Sequence, residues 1–64
     1  MAAREYLYEL RDGDEIVVTG HMTREVPLDV GDEVEIAGRV GVVLSVEPTL
    51  RGRELRLVLQ LGRS

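Results

Sequence analysis

The sequence predicts an all-β domain, and three observations lead to that prediction. Apolar residues alternate with polar ones along most of the chain, valine and leucine are abundant, and seven glycines interrupt the runs at short intervals. Alternation with a period of two is typical of half-buried strands, whereas a helix repeats its apolar residues every three or four positions. Five strands are expected, over residues 4–10, 14–19, 32–37, 40–47 and 53–61.

The first two strands are expected to form a hairpin. Alternation of Tyr6, Tyr8 and Leu10 favours a strand, although the leucines of this segment also fit helical spacing. Asp12-Gly13 follows, and this dipeptide favours a tight turn between strands because glycine adopts a positive φ at little cost. A turn at this point returns the chain alongside the first strand.

Two similar octapeptides, GDEIVVTG at residues 13–20 and GDEVEIAG at residues 31–38, coincide with the second and third strands. In each copy we expect Gly-Asp to form a turn, two apolar residues to face inward, and the last glycine to end the strand. The predicted inward residues are Ile16, Val18, Val34 and Ile36. We interpret the repeat as structural, because neither copy leads into a helix as a phosphate-binding loop does.

The fourth and fifth strands are expected to supply most of the core. The residues predicted to face inward are Val40, Val42, Leu44, Val46, Leu55, Leu57, Leu59 and Leu61. Pairing these two faces predicts that Val43 lies opposite Val58 on the outer face. The same register places Ser45 opposite Arg56. A turn at Gly38-Arg39 would pair Ala37 with Val40 and break the inward alternation unless a β-bulge intervenes, and Gly41 is the expected position of that bulge.

Size and composition predict a single domain over residues 1–64. Five short strands are too few for two stacked sheets, so we expect one sheet that curls into a small barrel, with SH3-like or OB-like topology. A chain of 64 residues without cysteine has no disulfide to support a small core. Stability must therefore come from the core itself or from an oligomer.

Charge is distributed unevenly along the chain. The net charge is −4, and residues 1–36 hold ten acids and three arginines, whereas residues 37–64 hold two acids and five arginines. An anionic partner would therefore meet the second half. No apolar run is long enough for a membrane span, and the first ten residues lack the pattern of a signal peptide, so we expect a cytoplasmic protein with no membrane partner.

Residues 30–61, VGDEVEIAGRVGVVLSVEPTLRGRELRLVLQL, resemble the SH3-like and Tudor-like small barrels of transcription and translation proteins. The segment is similar to the KOW motif, in which a glycine corresponding to Gly41 lies among alternating apolar residues. It is also similar to the RNA-polymerase-interacting domain of CarD-type regulators, with its Gly-Asp-x-Val strand and glycine turn. The resemblance implies a barrel that binds a macromolecule.

Few residues suit catalysis or metal binding. His21 is the only histidine, and no cysteine, serine or second histidine lies at a spacing typical of nucleophilic or metal chemistry. The acids at the strand starts lack the calcium-loop signature, and paired carboxylates need a cleft that so small a domain hardly provides. We therefore expect no enzyme activity, no metal site and no cofactor.

Two surfaces are predicted to contact a partner protein or a second copy of the chain. One is the long connection from residue 20 to residue 30, which Pro27 and Leu28 are expected to anchor to the barrel. The other is the outer face of the last two strands. The candidate partner-binding residues are Met22, Arg24, Glu25, Val43, Arg56 and Val58.

An alternative is a KOW-like module that binds RNA, the ribosome or the transcription machinery. Arg51, Arg53 and Arg56 would form its anion-binding patch, since guanidinium groups bind phosphate well. RNA grooves usually add aromatic stacking platforms, and the two tyrosines lie in the acidic half. We therefore favour a non-enzymatic protein-interaction module over an RNA-binding one.

Overall fold

The computed structural model describes residues 3–50 and 52–62, which form five β-strands and no helix. The strands are β1 (Arg4–Asp12), β2 (Glu15–Arg24), β3 (Glu33–Ile36), β4 (Arg39–Pro48) and β5 (Glu54–Leu61). The predicted all-β class with five strands is confirmed. No helix in the described part of the chain is long and apolar enough to cross a membrane.

All five strands lie in one sheet with the order β2-β1-β5-β4-β3. Neighbouring strands are antiparallel except for β1 and β5, which run parallel with Tyr6 beside Leu55 and Leu10 beside Leu59. The sheet curls into a half-barrel, as expected for a small five-stranded barrel. Within the described residues β2 pairs only with β1 and β3 only with β4, so both edges of the sheet stay open.

Two tight turns set the register of the hairpins. The first, at Gly13 with a φ of 63°, joins β1 to β2 as predicted and makes Asp12 the partner of Glu15. The second has positive φ at both central residues, 53° at Ala37 and 79° at Gly38, as in a type I′ hairpin turn. This turn lies one residue earlier than the Gly38-Arg39 turn that the sequence suggested.

The core lies on the concave side of the sheet. Its buried members are Tyr6, Leu10, Val34, Ile36, Val43, Leu57 and Leu59. Half-buried apolar side chains from every strand except β3 pack around this cluster, and so does Leu28 of the β2–β3 connection. The predicted inward face of β5, with its four leucines, is therefore confirmed.

The predicted pairing of Val43 with Val58 is wrong. Val43 lies opposite Leu59, and Val58 lies opposite Ser45. The reason is that no bulge interrupts β4 at Gly41, so its residues alternate regularly from the turn to Val43, whereas the predicted inward face required one extra residue at Gly41. Gly41 is thereby placed opposite Val34 on the inner side.

A bulge later in β4 partly restores the predicted face. The register between β4 and β5 shifts between Val43 and Ser45, and Leu44 is the extra residue. Val46 then lies opposite Leu57 and packs against the core. The bulge is therefore at Leu44 and not at Gly41, where the sequence suggested it, and Val40, Val42 and Leu44 face outward instead of inward.

The first copy of the octapeptide repeat also differs from the prediction. Gly20 does not end β2, which continues to Arg24, because the ring of Tyr8 on β1 packs over it and takes the place of a side chain. A register shift near Val17 turns Ile16 outward, where it is exposed. The inward prediction holds for the second copy and, in the first copy, only for Val18.

Candidate functional site

Two of the predicted partner-binding residues are not available at the surface. Val43 is 1% exposed and belongs to the core. Val58 does face the outer side of the sheet, but it lies between Glu9 and Ser45 in the central strand and is only 6% exposed. The proposed patch of two outward valines is therefore wrong.

Three of the other predicted contact residues lie on or directly after β2. Met22 is half-buried and packs against the core, so its role is largely structural. Arg24 ends β2 and Glu25 begins the connection to β3, and both side chains are exposed. The segment at 20–24 is a strand and not part of a loop, because Gly20 is accommodated inside the sheet.

The β2–β3 connection is held by specific hydrogen bonds. The backbone N–H of Leu28 donates to the hydroxyl of the buried Tyr6 over 3.0 Å, which confirms the expected anchor at Leu28. Asp29 and Asp32 close a turn, since the N–H of Asp29 donates to Oδ2 of Asp32 over 2.8 Å. Pro27 is exposed. The connection therefore has a defined shape that carries three exposed carboxylates, those of Glu25, Asp29 and Asp32.

One arginine of the predicted patch, Arg56, is already engaged in an ion pair. Arg56 faces outward as predicted, and its guanidinium donates from Nε and Nη2 to the two carboxylate oxygens of Glu9, both over 3.0 Å. Arg53 is exposed in the turn before β5, and Arg51 lies outside the described residues. Arg56 therefore already has a carboxylate partner, whereas Arg53 does not have one within hydrogen-bonding distance in the described residues.

Glu9 is the centre of a three-residue network on the outer face. Besides Arg56, its carboxylate accepts a hydrogen bond from Nη2 of Arg11 over 2.7 Å. The hydrogen bond from Arg56 is the main cause that lowers the pKa of Glu9, and the hydrogen bond from Arg11 lowers it further. The contact between Glu9 and Arg56 also raises the pKa of Arg56. A bidentate contact of this kind favours the ionised carboxylate and fixes the planar guanidinium.

This network predicts a specific pH dependence. Because the pKa of Glu9 is lower in the folded chain, its stabilising contribution is complete above the ordinary glutamate value of about 4.3 and is lost as pH falls through the lowered value. In thermal melts, Glu9→Gln should lower the midpoint at neutral pH, and the gap to the unsubstituted chain should narrow below about pH 4. Glu5→Gln, on the same strand, controls for the loss of one charge; an equal gap at all pH values for Glu9→Gln would contradict the prediction.

Because the bulge lies at Leu44 and not at Gly41, β4 presents an apolar surface that the sequence pattern did not predict. Val40, Val42 and Leu44 alternate along the outer face of β4, and we call these three residues the β4 strip. Val40 is 44% exposed and Leu44 is 51% exposed. The position of the bulge was the missing signal, because local alternation does not show which residue of a strand is extra.

Carboxylates lie directly beside the β4 strip. Glu35 is the cross-strand partner of Val40, and Glu33 is the partner of Val42. Directly opposite residues of an antiparallel pair share a face with about 5 Å between their Cβ atoms. Both glutamates are exposed, and neither takes part in an ion pair within the described residues. The strip is therefore apolar along its length and acidic along its β3 side.

The remaining titratable groups do not assemble into a metal or catalytic centre in the described part of the chain. His21 lies on the outer face of β2, where its Nδ1 is 2.8 Å from Oε2 of Glu54, and the imidazole is largely exposed. No group of three or more histidines and acids among the described residues is placed to hold a metal ion.

Comparison of the chain with known protein families, with curated proteins and with solved structures found no match.

Proposed function

We propose that the chain is a non-enzymatic protein-interaction module, and that the β4 strip is the surface that binds its partner. The observation that carries the proposal is the exposure of Val40 and Leu44 beside Glu33 and Glu35. Single exposed apolar side chains are common, but an apolar row bordered by charge is typical of an interaction site.

Charge indicates what kind of partner fits this surface. Residues 25–38 contain five acids and no basic residue, and they include the β2–β3 connection as well as β3. The partner is therefore a protein segment that combines apolar side chains with arginine or lysine. Complementary charge of this kind mainly speeds association and selects the partner, while the apolar contacts supply most of the affinity.

Protein binding has more support than RNA binding. Arg56 was expected to contribute to a phosphate site, but its guanidinium already holds Glu9 in a bidentate contact. Tyr6, one of the two candidate stacking residues, is buried in the core. An RNA-binding surface would thus have to compete with an internal ion pair and to use one half-buried tyrosine.

The test is selection from a phage-displayed peptide library, followed by fluorescence anisotropy with the best labelled peptide. We expect the selected peptides to carry apolar and basic side chains. Leu44→Ser and Val40→Thr should each weaken binding about tenfold, because they remove apolar contacts at the centre of the site. Leu50→Ser is the matched control, since Leu50 is fully exposed but lies outside the strip.

Three results would contradict the proposal. The selection could yield no binders, it could yield acidic peptides, or Leu44→Ser could bind as well as the Leu50→Ser control. A single-stranded RNA oligonucleotide is measured in parallel at two salt concentrations. RNA binding that weakens steeply with salt and is reduced by Arg53→Ala would support the RNA-binding alternative instead.

A further inference from the structure

The two open edges of the sheet are protected to very different degrees. Edge β3 is four residues long and carries Glu33 and Glu35, and short length and charge are the usual devices that prevent edge pairing. Edge β2 is ten residues long, and its segment VTGHMT at 18–23 contains no proline and no acid, arginine or lysine. An unprotected strand of this length is a template for another strand.

We infer that β2 pairs antiparallel with β2 of a second copy, which makes a two-fold dimer with a continuous ten-stranded sheet. This dimer uses the opposite edge of the sheet from the β4 strip, so it is independent of the function proposed above. A two-fold contact of this kind closes on itself and leaves no further unpaired β2 edge.

When Gly20 lies opposite Gly20 of the second copy, side chains on the same face of the two β2 strands lie opposite each other. In that register Val18 lies opposite Met22 of the second copy, and both belong to the inner, core-facing side. Thr19 lies opposite His21 of the second copy, and both face outward. The half-buried side chains of Val18 and Met22 thereby gain cover from the partner.

Because of the bulge near Val17, residues of opposite charge at the ends of the two β2 strands lie opposite each other. Because Val17 is an extra residue in β2, the pairing beyond it advances by one, and Glu15 then lies opposite Arg24 of the second copy. Both side chains are exposed, and neither has an ion pair within the described residues. A parallel arrangement would instead place Glu15 beside Glu15 and Arg24 beside Arg24, which is repulsive.

Sedimentation equilibrium of the purified chain, from micromolar to millimolar concentration, tests the inference. We expect a concentration-dependent dimer that Glu15→Arg and Arg24→Glu each weaken about tenfold, because each creates two like-charge contacts per dimer. An equimolar mixture of the two variants should dimerise as well as the unsubstituted chain, since both charge contacts are then restored. The matched control is Glu33→Arg, the same change on the other edge, which should leave the dimer unaffected.

Several outcomes would overturn the inference. These are a monomer at every concentration, a dimer that the β2 charge changes leave intact, and a dimer that Glu33→Arg or Leu44→Ser dissociates. Failure of the mixture to recover dimerisation would also exclude the proposed register. Circular dichroism of each variant separates loss of the dimer from loss of the fold. Because peptide binding at the β4 strip is measured separately, either proposal can fail without the other.

Discussion

Leu57→Ala is expected to unfold most of the chain at room temperature. Leu57 lies on the central strand β5 at the middle of the core, and its side chain is completely buried. Removal of a buried leucine side chain costs about 2–5 kcal/mol, because both the transfer free energy and a residual cavity count against the folded state. A single core in a domain of this size seldom provides more than about 3–5 kcal/mol in total.

Leu44→Ala is the matched control for this experiment. The sequence pattern predicted that Leu44 faces inward, but the structure leaves it exposed on the outer face. Its truncation should change the free energy of unfolding by less than about 0.5 kcal/mol. Urea titrations followed by circular dichroism measure both variants, and equal destabilisation by the two changes would contradict the observed register.

Gly41→Ala is expected to destabilise the chain by about 1–3 kcal/mol, since it overpacks the core. A Cβ atom at this position would lie 2.8 Å from Cδ1 of Leu10 and 3.1 Å from Cβ of Leu59. Both leucines are completely buried, so neither can move aside without displacing its neighbours. Gly41 is thus required because β1, β4 and β5 approach each other closely on the inner side.

Gly20→Ala provides the comparison, since a Cβ atom there would meet the outer end of the Tyr8 ring at 2.6 Å. Tyr8 is only half-buried and can rotate towards solvent, so this change should cost less than Gly41→Ala. Adding Leu10→Val to Gly41→Ala should recover part of the loss, which a double-mutant cycle detects. Simple additivity in that cycle would show that Leu10 is not the residue in conflict.

The local sequence pattern predicted the strands well but not the face that β4 presents. Alternation gave five strands, and Asp12-Gly13 gave the first turn, because both signals are local. The inward residues of β4 depended on whether the strand has its extra residue at Gly41 or at Leu44. One extra residue inverts the faces of a strand, and the bulge was expected at the glycine, whereas the extra residue in the structure is Leu44.

The surface residues could be predicted where local alternation decides their position, and not where strand pairing decides it. Alternation along β5 correctly placed Arg56 on the outer face. Its ion pair with Glu9 could not be foreseen, because it depends on the parallel pairing of β1 with β5, and no turn connects these two strands. The β4 strip was not predicted, and Val43 was predicted to face outward, because both depend on which face of the sheet the residues of β4 occupy.

The parallel pairing of β1 with β5 also determines when the chain can fold during synthesis. The β1–β2 and β3–β4 hairpins form from neighbouring segments, but neither has a core of its own, and β5 is the strand that joins them. Loop closure over most of the chain must therefore precede the central contacts, which slows folding. On the ribosome, β1 and β2 have to wait with their apolar side chains uncovered until β5 has left the exit tunnel. The nascent chain thus folds after β5 has emerged, in a single late step.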